Sequence, residues 1–110
     1  MEKPIRSATS PDGSLTLELY GGDDFLLGFK GHEWHTHGDL LAPGYGDSPQ
    51  EAAVAFFESI ISDAQPICFQ AETSQAWVTD SPEAELSSAG ARTIIIRLWS
   101  GKVVGRSAGA

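Results

Sequence analysis

Residues 48–61 read Ser-Pro-Gln-Glu-Ala-Ala-Val-Ala-Phe-Phe-Glu-Ser-Ile-Ile, and this stretch decides the fold class. Ser48 is a good N-cap, Pro49 stands at the first helical position, and Glu51 follows the serine by three, the spacing of a capping box. Ala53, Phe56, Phe57, Ile60 and Ile61 recur at i, i+3, i+4, i+7 and i+8, which gives one broad apolar helix face. Asp63 and Pro66 mark where the helix has stopped.

On either side the period changes from 3.6 to 2. Leu15, Leu17 and Leu19 alternate with Thr16, Glu18 and Tyr20, the pattern of a half-buried strand. Gly21-Gly22-Asp23-Asp24 supplies turn chemistry, and Phe25, Leu27 and Phe29 resume the alternation. This second strand is expected to continue through His32-Glu33-Trp34-His35-Thr36-His37, bent at Gly31. Beyond the helix, strands are expected at 67–72 and 75–79, joined by Thr73-Ser74, then a polar loop over 81–91. Arg92–Trp99 reads as the most buried strand, with Ile94, Ile96 and Leu98 on one face, and Val103-Val104 as a short last strand.

The order β-β-α-β-β-β predicts an α+β fold, an antiparallel sheet of about five strands packed against one main helix. Residues 1–13 are expected to be a flexible lead-in, 14–106 a single domain and 107–110 a frayed tail. One helix cannot cover both faces of five strands. The uncovered face must be polar or must meet something.

Composition narrows the function. The chain has 110 residues, 41% of them hydrophobic, enough for one real core without a disulfide or a metal. Its net charge is −8, and fourteen of its fifteen carboxylates lie between Ser7 and Ala91, where Lys30 is the one basic residue. So acidic a segment repels nucleic acid and anionic membranes, and it offers a field that steers a basic partner. Cys68 is alone, so no intramolecular disulfide forms. No apolar run near the N-terminus reads as a signal peptide and none reaches bilayer length, so a cytoplasmic protein is expected.

No motif identifies a reaction. All three histidines fall within residues 32–37. On a strand, Glu33, His35 and His37 point one way and His32, Trp34 and Thr36 the other. Two imidazoles and a carboxylate on one face are a ligand set for a divalent metal. Side chains on one face of a strand stand roughly 7 Å apart, however, so Glu33 and His37 need a bend to reach one ion. His35-Thr36-His37-Gly38-Asp39 begins like the His-x-His-x-Asp-His pattern of metallo-β-lactamases but fails at Leu40, and no later histidine exists. Gly44-Tyr45-Gly46-Asp47-Ser48-Pro49 reads as a loop into a capped helix, since Pro49 replaces the third glycine of a dinucleotide loop and Asp47 repels a pyrophosphate. Cys68 has an apolar strand context and reads as a core thiol.

The remaining signal is a docking face. Asp23, Asp24, Asp39 and the neighbouring acidic residues, with Trp34 and Tyr45 as aromatic anchors, suit recognition of a basic protein. Taken whole, the chain resembles the small acidic immunity proteins of bacterial toxin systems in size, charge, α+β order and scattered aromatics. The resemblance brings no site residues with it. It implies a non-enzymatic protein-binding domain without a cofactor. A metal- or small-molecule-binding domain centred on Glu33, His35 and His37 is the alternative, and a homodimer joining the basic C-terminal strand to acidic surface is a third arrangement.

Overall fold

The computed structural model describes residues 3–22, 24–42 and 44–107. The fold is α+β, but the strands divide into two antiparallel four-stranded sheets, not one of five. The first sheet is a meander of β1 (Arg6–Thr9), β2 (Thr16–Leu19), β3 (Leu27–Phe29) and β4 (His35–Thr36) in sequence order. After α1 (Gly38–Leu41) and α2 (Pro49–Ile61) comes the second sheet, in the order β6-β5-β7-β8. Its strands are β5 (Ile67–Gln70), β6 (Gln75–Val78), β7 (Ile94–Arg97) and β8 (Val103–Arg106), with α3 (Pro82–Ser87) inserted before β7.

Helix α2 forms as its sequence requires: the Glu51 N–H donates to Ser48 Oγ at 3.2 Å, Pro49 begins the first turn, and Ala53, Phe56, Phe57 and Ile60 are buried. Those side chains close over Leu17, Leu19, Leu27 and Phe29, the inner face of the first sheet, and meet Ile67 and Ala76 from the second and Trp99 just beyond β7. The outer face of the first sheet carries Ser7, Thr9, Thr16 and Glu18, so the face the helix leaves open is polar. A smaller core lies on the far side of the second sheet. There Cys68, Ile94 and Ile96 pack under Ala89, with Leu86 of α3 and Trp77 at its margin.

Five sequence expectations are corrected, the first being that Ser107 does not begin a frayed tail: it is buried and its N–H donates to the Ile94 carbonyl, while 108–110 lie outside the described residues. Arg6–Thr9 is not part of a flexible lead-in but a strand paired with β2, Ala8 opposite Leu17. Its inward residue Arg6 lays the guanidinium over the Phe57 ring, 4.4 Å from the centroid, and pairs with Glu58. The chain does not run straight on through the histidines: Gly31, at φ +80°, reverses it so that β4 returns antiparallel to β3, His35 opposite Gly28. The 81–91 stretch contains α3, begun by Pro82 with Glu83 and Glu85 in its first turn, where carboxylates favour the helix N-terminus. Finally, β7 shares the centre of its sheet with β5 and is buried on Ile94 and Ile96, with Leu98 beyond its end.

Candidate functional site

The histidine-rich tip that the sequence singled out is divided between two jobs. His32 is structural: its Nδ1 accepts a 2.9 Å hydrogen bond from the Ala76 backbone N–H. Next to it the Glu33 N–H donates to Gln75 Oε1 at 2.8 Å. β6 is an edge strand, so these two bonds satisfy polar groups of that edge and tie the first sheet to the second. Burial lowers the pKa of His32 below its ordinary value.

His35 and His37 lie on the other side of the tip, their rings edge to face with centroids 5.2 Å apart. His35 Nδ1 lies 3.1 Å from the Glu33 carbonyl, and His37 Nδ1 is 3.9 Å from Asp24 Oδ2. Among the described residues no three His, Cys, Asp or Glu side chains come together as a metal-holding group, so Glu33 does not join His35 and His37 in one.

The seam between the sheets opens instead into a groove of about 290 Å³. Its walls come from four parts of the chain: Trp34, His35 and Thr36 at β4, Leu41 and Tyr45 from α1 and the loop after it, Phe56 and Gln65 from α2 and its exit, and Val78 and Asp80 at the end of β6. Trp34 is half-buried and rests on Phe29, ring centroids 5.3 Å apart. Tyr45 stands edge to face on Phe56 at 4.8 Å, and its hydroxyl accepts from Gln65 Nε2 at 2.9 Å. Both aromatics are therefore held before anything binds. Among the described residues the lining contains one carboxylate, Asp80, and no Lys or Arg.

Of the docking residues expected from sequence, Trp34 and Tyr45 meet in this groove. Asp39 is exposed in the first turn of α1, beside Leu40, which is 71% exposed. Asp24 is exposed next to His37. Asp23 lies outside the described residues. Sequence reasoning missed Asp80, which follows an edge strand and is brought to Trp34 only by the docking of one sheet on the other; no local pattern marks it.

A second, larger groove of about 470 Å³ is lined by His32 with Leu15, Phe69, Ala76, Ile95 and Val103. Its rim charges are already matched. Arg97 Nη1 donates to Asp12 Oδ2 at 3.0 Å and to Ser14 Oγ at 2.8 Å, while Nη2 and Nε donate to the Trp99 and Leu98 carbonyls. The Asp12 carboxyl is held far below the usual carboxylate range by Ser10, Ser14 and Arg97.

Cys68 is fully buried, and desolvation, then the Glu85 carboxylate, push its thiol up to about 12. Glu85 also accepts a short hydrogen bond from Trp77 Nε1. A thiol so placed is a poor nucleophile. None of the described helices is long and apolar enough to cross a membrane. No protein family, curated protein or solved structure matches this chain.

Proposed function

We propose that this is a small, acidic, non-enzymatic binding domain, immunity-like in character, whose partner is a basic protein docked over the seam groove and α1. The observation that carries the reading is the groove itself: pre-positioned Trp34 and Tyr45 with Asp80, no cation in the lining, and Asp24, Asp39 and exposed Leu40 on neighbouring elements. Aromatic anchors in a pocket with a polar rim are the usual carriers of binding energy at protein interfaces. Lys30 lines a neighbouring pocket with Trp34 and His35, but no described Lys or Arg lines the groove itself, and exposed carboxylates around it favour an approaching cation.

The basic residues support the same assignment by where they are spent. Arg6 pairs with Glu58 and Arg97 with Asp12, while Arg92 donates to the Ser88 and Ala89 carbonyls. None of these contacts involves the carboxylates of the β4–α1 region. There Asp24 has the His37 ring as its neighbour, Nδ1 to Oδ2 at 3.9 Å.

The test is affinity capture from the source cells with the native chain and with an Asp24→Lys, Asp39→Lys variant. A basic protein retained by the native chain, released by salt and absent from the variant supports the reading. No retained basic protein, or one retained equally by both, overturns it.

A further inference from the structure

We infer that the seam groove is a receptor for a single arginine side chain, its guanidinium against Trp34 and Tyr45 and forked onto the Asp80 carboxylate. This deepens the protein-binding reading, on which it rests, by naming what the partner inserts.

The groove has the parts a guanidinium needs. Asp80 makes no side-chain hydrogen bond or ion pair with any described residue, so its carboxylate is free to accept. In the larger groove, by contrast, the one carboxylate among the described lining residues, Asp12, is already engaged by Arg97. The Tyr45 hydroxyl is occupied by Gln65, which leaves its ring as the surface offered to a ligand. Ring contacts with Phe56 and Phe29 hold Tyr45 and Trp34 in place. About 290 Å³ is room enough for one long side chain.

Chemistry selects arginine over lysine. A guanidinium is planar and weakly hydrated; it stacks on aromatic faces while its N–H fork meets a carboxylate in two parallel bonds. An ammonium is a compact, strongly hydrated point charge, and it gives up more water to enter a half-apolar groove. The pairing of aromatic rings with one unspent carboxylate therefore favours the flat cation.

The experiment is a titration of the isotope-labelled native chain with N-acetylarginine amide, followed by the Trp34 indole and the Tyr45 and Asp80 backbone resonances. Expected are saturable shifts at these three residues, at least about fivefold weaker binding in Asp80→Asn, and unchanged binding in Glu83→Gln, which removes a carboxylate outside the groove. N-acetylcitrulline amide, which lacks the charge, produces no saturable shift, and N-acetyl-lysine amide binds more weakly. Equal shifts from citrulline, equal affinity for lysine, or insensitivity to Asp80→Asn overturns the inference. Its failure is separable from that of the wider reading: a partner captured equally well by Asp80→Asn refutes the arginine site alone, whereas arginine binding without any partner refutes only the protein-binding reading.

Discussion

The Nδ1 atom of His32 accepts the Ala76 N–H across 44 residues of sequence, and through this bond the two sheets are held in register at the seam. An accepting Nδ1 requires the neutral ring with its proton on Nε2. Protonating Nδ1 sets a donor against a donor.

The pH dependence follows with its sign. Burial depresses the folded pKa of His32 below 6.5, so under acid the unfolded chain binds the extra proton more readily than the folded one. Stability from this site is complete above 6.5 and is lost as pH falls from there through the folded value. His32→Leu removes the acceptor and is expected to cost about 1–2 kcal/mol at neutral pH, with a flatter stability profile below it. Urea unfolding at about pH 5 and about pH 7.5 measures both effects. An unchanged profile in the variant contradicts this role.

Asp12 gives a second acid-sensitive joint. Ser10 Oγ, the Ser14 N–H and hydroxyl, and Arg97 all donate to its carboxylate. Its folded pKa is lowered, so its contribution is present above the ordinary value of 3.8 and disappears as pH falls below it. Asp12→Asn is expected to lower stability near neutrality and to converge on the native chain under strong acid, read by denaturant midpoints.

Gly38 holds α1 against α2. A Cβ there would stand 2.2 Å from the Pro49 carbonyl oxygen, a backbone atom that cannot step aside. Gly38→Ala is therefore expected to displace α1, which carries Leu41 and leads into Tyr45, and to cost about 1–3 kcal/mol as overpacking usually does. Thermal unfolding checks the loss, and Tyr45 resonances report the displaced groove wall.

Cys68 is expected to resist thiol reagents in the folded protein. With its pKa at about 12 and no exposure, labelling at mildly alkaline pH should proceed only at the rate of unfolding and accelerate with denaturant. Stoichiometric labelling of the native chain within minutes contradicts the burial assigned here.

The parts of the fold legible in the sequence are those whose signals are local. The capping residues and apolar period of 48–61 specify α2, and the Leu15–Leu19 and Phe25–Phe29 alternations specify the β2–β3 hairpin. The division into two sheets was hidden because β1 reads Arg-Ser-Ala-Thr, with a charge and a small residue on its inward side. The charge is accommodated only by Phe57 and Glu58, far along the chain. Helix α3 had start signals in Pro82, Glu83 and Glu85, but Leu86 is its one apolar residue larger than alanine or proline, too few for a periodic face. The candidate site divides the same way. Trp34, Asp39 and Tyr45 could be named from side-chain type alone, whereas Asp80 and the structural role of His32 arise where separate sheets meet.

The most direct test is the association rate of the captured basic partner with the native chain, measured from about 50 to about 500 mM salt, where screening removes long-range attraction. The acidic seam predicts a rate that falls about tenfold or more over this range, and an Asp24→Lys, Asp39→Lys variant that is slow at low salt. A rate independent of salt and identical in the variant contradicts a function built on this face.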